Sequence, residues 1–260
     1  MKDITAVILA GGKSERMGED KGLMLIDGKP MVQHLINLFD ELEMHSIIIA
    51  NNDQYNQFGK AVFRDIRQDK GPLGGLHSAF MNSNSRSLFV ASCDTPFITT
   101  ELVNVLIKNY EDKVSIPKYN GKTHPLIGIY PRSIFETIES QLDHSNYKIM
   151  DLINSLEITP LDVSENFDAN IFRNLNTKND IQTDVNVRFY GLIAERVNQS
   201  EVTISIPNTS NIDLRNHFNT KWPFLNEISY KIAIDQELRY ELNKNEHPKE
   251  IAILPPFAGG

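Results

Sequence analysis

Hydrophobic and polar positions alternate between two regimes along this chain. Ile4–Leu9 is an uncharged, β-branched run that predicts a buried parallel strand. Behind Pro30, at a first helical position, Met31, Leu35, Leu38, Phe39 and Leu42 recur at helical spacing and predict a helix over 30–43. Ser46–Ala50 and Ser87–Cys93 repeat the buried-strand pattern, with a shorter strand at Ala61–Phe63. Gly71-Pro72-Leu73-Gly74-Gly75 is expected to be a loop leading into a helix from Leu76 to Met81, and residues 99–110 a further amphipathic helix. Strand, helix and strand with short connections imply right-handed βαβ units and a doubly wound, mostly parallel α/β sheet. The loops after Leu9, Ala50 and Cys93 then share the carboxyl edge, where such sheets bind ligands. Strands at Lys113–Pro117 and Leu126–Tyr130 and helices at Pro131–Leu142 and Tyr147–Leu156 complete this part. Thr177–Ile181 starts one more helix, which Gln182-Thr183-Asp184 stops.

From residue 184 the period changes to two. Val185, Val187 and Phe189 alternate with polar residues, as do Val202, Ile204 and Ile206, giving two half-exposed strands. One short helix over 210–219, with Ile212, Leu214 and Phe218 inward, and strands at Tyr230–Asp235 and Glu250–Leu254 suit a small β-grasp domain. The expected domains are 1–181 and 184–260, joined by a short linker around Asn179–Asp184.

Composition limits the function classes. Apolar residues make up 40% and charged residues 23% of the 260, as in ordinary globular proteins. Residues 181–260 carry eight basic and ten acidic side chains, and residues 1–180 the remaining 18 and 24. Neither part is basic, so neither nucleic acid nor an anionic membrane is expected as a partner. No apolar run approaches a membrane span, and the chain enters its first strand within three residues, so no leader is expected. A single cysteine, Cys93, fits a reducing cytoplasm. At a buried strand end, with no histidine at a telling spacing, Cys93 reads as a packing residue and not as a nucleophile.

The chemistry concentrates at Leu9-Ala10-Gly11-Gly12-Lys13-Ser14-Glu15-Arg16-Met17-Gly18-Glu19-Asp20-Lys21. Adjacent glycines let the backbone turn sharply and approach a ligand, and Lys13, Arg16 and Lys21 surround the same loop. This suits a triphosphate. It is not a P-loop, because Val7 stands where that motif needs glycine, and not a dinucleotide fingerprint, because Gly11 and Gly12 are adjacent. Asp94, in Cys93-Asp94-Thr95-Pro96, sits at a carboxyl strand end facing that loop. Nucleotidyl transfer must neutralise charge on the α-phosphate and on departing pyrophosphate, which calls for Mg²⁺ held by one or two carboxylates.

The glycine-lysine string resembles the signature of nucleotidyltransferases with a Rossmann-like fold, in which residues matching Arg16 and Lys21 hold the phosphates. Gly71–Gly75 narrows the resemblance to the molybdenum cofactor guanylyltransferases, where that loop helps bind guanine. By this resemblance Leu9, Ala10, Gly11, Gly12, Lys21, Asn52, Asp65, Gly71, Gly74 and Asp94 contact GTP, with Asp94 also on the metal. Asn174-Leu175-Asn176-Thr177 matches the closing Asn-x-Asn-Thr signature, which implicates Asn174 and Asn176 in binding molybdopterin. His124-Pro125-Leu126 matches a motif near the acceptor. Lys148 falls about where the family often carries an acceptor-binding arginine, and lysine lacks the bidentate geometry.

The final Leu254-Pro255-Pro256-Phe257-Ala258-Gly259-Gly260, after a β-grasp pattern, resembles the ubiquitin-like sulfur-carrier subunit of molybdopterin synthase. That resemblance implies a Gly260 carboxylate that is adenylated and then converted to a thiocarboxylate. It implies as partners the catalytic subunit of molybdopterin synthase and an E1-like adenylating enzyme, with a molybdenum-insertion protein and apo-molybdoenzymes downstream. The expectation is a bifunctional molybdenum cofactor protein. Cytidylyl transfer, nucleotidyl transfer to a sugar phosphate, and a silent nucleotide-binding scaffold with a ubiquitin-like tail are the alternatives.

Overall fold

The computed structural model describes residues 3–10, 20–26, 28–156, 158, 160–175, 182–207, 211–243, 246 and 248–256. The expected Gly11–Glu19 turn, the helix start at Thr177–Ile181 and the terminal Phe257–Gly260 lie outside the described residues. The chain divides into two compact units. One is Met1–Met24 with Pro30–Asn174; the other is Leu25–Lys29 with Leu175–Gly260.

In the first unit, β1 (Ile4–Leu9), α1 (Met31–Glu41), β2 (Ser46–Ile49), β3 (Ala61–Phe63), α2 (Gly71–Met81), β4 (Ser87–Ser92) and α3 (Thr100–Lys108) follow the predicted alternation. Then come β5 (Pro117–Tyr119), β6 (Lys122–Thr123), β7 (Ile127–Pro131), α4 (Phe135–Asp143), α5 (Ile149–Ser155) and β8 (Leu161–Asp162). The main sheet runs β3-β2-β1-β4-β7. Its first four strands are parallel and β7 is antiparallel to β4. Side chains alternate across β1. Ala6 and Ile8 pack with α1 and α3 residues such as Leu35, Phe39, Leu102 and Leu106. Val7 and Leu9 pack on the other face with Leu73, Leu76, Phe80 and Ile138 from α2 and α4. Both faces of the parallel strands are therefore covered, which is why their sequences are apolar throughout and not alternating.

Several expectations need correcting. Gly71–Gly75 is not a loop: it forms the first half of α2, with Pro72 in the opening turn, where a missing N–H costs nothing. Gly75 lets the helix lie close on the sheet, and Gly74 lets it lie close on the chain just before it. A Cβ on Gly75 would stand 3.1 Å from Leu9 Cδ2, and one on Gly74 2.9 Å from the Arg67 carbonyl oxygen. Lys113–Pro117 is not a strand either; only Ser115 bridges to Ile129, and pairing resumes at Pro117. Pro131 closes β7, and the predicted helix begins after it as the 3₁₀ turn Arg132–Ile134. β8, too short to carry a period, pairs in parallel with β5.

The second unit has β9 (Gln182–Phe189), α6 (Leu192–Val197), β10 (Glu201–Pro207), α7 (Leu214–Lys221), β11 (Lys231–Ile234), β12 (Glu237–Leu238) and β13 (Ile251–Leu254). Its sheet runs β10-β9-β13-β11-β12. β9 and β13, first and last in sequence, are parallel neighbours in the middle, and the other pairs are antiparallel. Val185, Val187, Ile204, Ile232 and Ile253 cover Leu214 and Phe218 of α7. The short helix α6 was not foreseen: its six residues bury only Ile193, too little for a visible period. Among the described residues, no helix is long and apolar enough to cross a membrane.

Candidate active site

The order β3-β2-β1-β4 places the topological switch point, where successive connections turn to opposite sides, between the parallel strands β1 and β4, and the carboxyl ends of these two strands open a crevice. Leu9 pairs in register with Ile49 on one side and Ser92 on the other. Chain emerging from each of these strands therefore reaches the same edge. Beyond β1 the backbone is tied down: the Leu9 carbonyl accepts from Cys93 N at 2.9 Å, and Ala10 N donates to Ile49 O at 2.9 Å.

Lys21 Nζ lies 3.4 Å from Asp94 Oδ2, both side chains largely buried. Asp94 stands in the turn after β4, where Thr95 N and Oγ1 both donate to the Ser92 carbonyl. Among the described residues, Asp94 Oδ1 is buried without a hydrogen-bond partner. A buried, unpartnered carboxylate oxygen beside an ammonium is a ready site for a hard cation or a phosphate-bound one. No cluster of three metal-ligating side chains occurs among the described residues.

Asp20, just before Lys21, was passed over as a site residue in sequence. It accepts from the Asn52 side-chain amide at 3.0 Å, the Gly22 N–H at 3.2 Å and the Tyr55 hydroxyl at 2.5 Å. Asn52 therefore lies at this edge but faces Asp20, and its Oδ1 caps the 3₁₀ helix Asp53–Phe58. Asn51, its neighbour, is the one that meets Asp65: Asn51 Nδ2 donates to Asp65 Oδ2 at 3.0 Å. Sequence alone could not separate the two asparagines. Asp65 Oδ1 is buried and, among the described residues, unpartnered, and burial lifts its carboxyl above the usual carboxylate range despite the Asn51 bond. Gly71 opens α2 at a positive φ of 58° with open space beside it. Gly74 is deeper; its N–H donates to Lys70 O and its carbonyl accepts from Ser78 Oγ, so its backbone is committed to the helix.

Cys93 is buried, and burial with nearby Asp94 pushes its thiol far up, consistent with packing. His124 packs at a tilt against Phe172, ring centroids 4.7 Å apart, and Phe172 stacks on Tyr119 at 5.0 Å. Burial lowers the pKa of His124. Lys148 is exposed before α5, and Asn174 is exposed at the end of the unit. Gly11, Gly12, Arg16, Asn176 and Gly260 lie outside the described residues.

The family described as MobA-like NTP transferase domain matches residues 6–159. A Flavobacterium johnsoniae protein named probable molybdenum cofactor guanylyltransferase is 34% identical over 71% of this chain and all of its own length. A crystal structure of an Aquifex aeolicus protein superposes with a TM-score of 0.59 at 28% identity, covering 68% of this chain and 94% of that one. The structure of molybdopterin-guanine dinucleotide biosynthesis protein A from Archaeoglobus fulgidus gives 0.58 at 21% identity, with the same coverage of both chains, and shows the shared fold. By the extent of these matches the chain belongs to the MobA-like NTP transferase family, and it is a nucleotidyltransferase.

Proposed function

We propose that the first unit transfers GMP from GTP to the phosphate of molybdenum-bound molybdopterin, releasing pyrophosphate. The observation that carries this reading is Lys21 Nζ at 3.4 Å from Asp94 Oδ2, with Asp94 Oδ1 buried and, among the described residues, without a partner, at the carboxyl ends of β1 and β4. The acceptor phosphate oxygen forms a bond to the α-phosphorus of GTP while the bond to the β-phosphate breaks. Lys21, with Arg16, would neutralise the phosphates, and the absence of side chains at Gly11 and Gly12 suits a close approach of nucleotide to the chain. Asp94 is the residue that would hold Mg²⁺, which supplies charge neutralisation on the α-phosphate and the leaving group. An acceptor phosphate already ionised at neutral pH needs no general base, so catalysis rests on positioning and electrostatics. Guanine offers two adjacent N–H donors, and the Asp65 carboxylate is the acceptor suited to them, with Leu9 and Ala10 shaping the floor and Gly71 and Gly74 the helix start beside it. Asn174 and Asn176, from the matching Asn-x-Asn-Thr signature, would bind the pterin. The guanylyl assignment leans on the names of the relatives; cytidylyl transfer and transfer to a sugar phosphate are the competing enzyme readings.

The second unit is, in the same proposal, a β-grasp carrier of sulfur as a Gly260 thiocarboxylate. What supports it is the sheet order β10-β9-β13-β11-β12 around a parallel central pair, packed on α7, ahead of a Gly-Gly end. Its partners would be the catalytic subunit of molybdopterin synthase and an E1-like enzyme, with a molybdenum-insertion protein and apo-molybdoenzymes receiving the nucleotide product.

Pyrophosphate release from GTP, CTP and ATP, each with molybdenum-loaded molybdopterin and Mg²⁺, tests the first half. Release from GTP at a rate at least tenfold above the others is the expected result. Equal or greater release from CTP would overturn the guanylyl reading, and GTP binding without turnover would favour the silent scaffold.

A further inference from the structure

Tyr55 is fully buried, yet its hydroxyl reaches the edge of the site. It stands 2.5 Å from Asp20 Oδ1 and 3.3 Å from the Ala10 carbonyl oxygen. In sequence, Ala10 and Asp20 flank the Gly11–Glu19 stretch of the glycine-lysine motif. Backbone has been cleared for the hydroxyl. A Cβ on Gly22 would stand 2.3 Å from Tyr55 Oη, so no other residue fits at 22 without moving the ring. Asp20 has its second oxygen held by Asn52 Nδ2 at 3.0 Å, and its first also accepts the Gly22 N–H. A carboxylate with three donors on it has one orientation. The residue that follows it is Lys21, whose ammonium must lie against Asp94.

From this geometry we infer that Tyr55 is a positioning residue: acting through Asp20, its hydroxyl sets where the Lys21 ammonium stands relative to Asp94, and hence how the enzyme grips the distal phosphates of its nucleotide. Tyr55 itself touches no reacting atom. Burial, the Cys93 thiol and Asp20 all push its phenol upward, so it stays a protonated donor over the whole working pH range. The segment carrying it, the 3₁₀ helix Asp53–Phe58, follows β2, so the sheet itself is the frame against which the lysine is registered. The inference rests on the nucleotidyl-transfer reading of the site but not on which base is selected.

Nucleotide binding by the full chain tests it without an acceptor. The four nucleoside triphosphates and their monophosphates are titrated calorimetrically, with Mg²⁺, into the wild type, Tyr55→Phe and Tyr110→Phe. Tyr110 is a buried tyrosine whose hydroxyl meets Ser87 Oγ at 2.6 Å, so it controls for loss of a buried hydroxyl as such. The expected result is a loss of about tenfold or more in triphosphate affinity for Tyr55→Phe, with monophosphate affinity changed less than twofold. Tyr110→Phe should keep both. An equal loss for tri- and monophosphate, or none, would overturn the positioning role. A wild type that prefers CTP would sink only the guanine reading, because the Tyr55 comparison is then made with CTP; no binding of any triphosphate sinks both.

Discussion

Asn51 and Asp65 hold each other at two points: the Asn51 amide nitrogen donates to Asp65 Oδ2, and the Asp65 backbone N–H donates to Asn51 Oδ1, each at 3.0 Å. The clasp joins the ends of β2 and β3, which are paired in the sheet, and leaves Asp65 Oδ1 buried and, among the described residues, without a partner. Burial raises the carboxyl above its ordinary value of 3.8, the Asn51 bond opposes this, and Asp69 adds to the rise. An acid whose folded pKa is raised contributes its stabilisation below the unfolded value and loses it as pH climbs through the folded one. Ionising Asp65 therefore costs the folded protein more than the unfolded chain.

Replacing Asp65 with Asn removes that charge at nearly constant shape. Asp65→Asn should melt about 2–4 °C above the wild type at pH 7, with the gain vanishing by about pH 3, as followed by thermal unfolding across pH. The same variant should lose about 10–100-fold of its GTP affinity if the carboxylate reads guanine. A gain in stability with unchanged nucleotide preference would remove Asp65 from base selection.

Asp94→Asn keeps the shape but halves the acceptor capacity toward a cation and weakens the hold on Lys21. At limiting Mg²⁺ its kcat should fall about 100-fold, with excess Mg²⁺ recovering part of the loss. Turnover measured over a Mg²⁺ titration checks this. A wild-type profile would mean that the metal is held elsewhere.

Much of this architecture was legible because parallel strands buried on both faces announce themselves. Ile4–Leu9, Ser46–Ile49 and Ser87–Ser92 were legible to within a residue, because they are short, uncharged runs, rich in β-branched or aromatic residues, in a chain with 23% charged residues. Gly71–Gly75 misled for a physical reason. Glycine and proline are turn residues by propensity, but here Pro72 sits where a helix accepts it and the glycines admit Leu9 and the Arg67 backbone. Asp94 and Lys21 could be named from motif and strand end alone. Asp20 and Tyr55 could not, because their meeting spans 35 residues and depends on the ring filling space beside Gly22. The only available signal was the glycine itself, directly after Lys21.

In the second unit, Glu246 is held by Arg239, with Nη1 at 2.9 Å from Oε2 and Nη2 also on Oε1, while the Asn243 N–H donates to Oε2 at 2.9 Å. The Arg239 bond, then the Asn243 contact, pulls its carboxyl from 4.5 down to about 2. A depressed acid stabilises the fold above its unfolded value, and that contribution is lost as pH falls from 4.5 through about 2. The single tryptophan, Trp222, packs edge-on against Phe189 at 5.0 Å, so its fluorescence reports this unit. Glu246→Gln should be less stable than wild type at pH 7 and converge on it as pH falls through about 2, in denaturant unfolding followed at Trp222. A deficit that persists unchanged at pH 2 would mean that packing, not ionisation, holds this contact.

The carrier reading stands or falls on the last carboxylate. β13 ends at Leu254, at the centre of its sheet and beside β9, and Pro255 follows. Pro255 rests against the turn after β9, where a Cβ on Gly191 would meet Pro255 Cγ at 3.2 Å. The exit from the sheet is therefore fixed at Pro255, whereas acyl adenylation needs a free carboxylate on Gly260 itself. One alanine appended after Gly260 leaves every described contact intact and moves the carboxylate onto a residue with a side chain, which a channel fitted to two glycines would exclude. Incubated with an E1-like adenylating enzyme, ATP and a sulfur donor, the natural chain should gain the mass of an oxygen-to-sulfur exchange and the extended chain should not. Pyrophosphate release from GTP by the first unit should be the same for both. An unchanged thiocarboxylate yield in the extended chain would reject sulfur carriage by this terminus while leaving nucleotidyl transfer untouched.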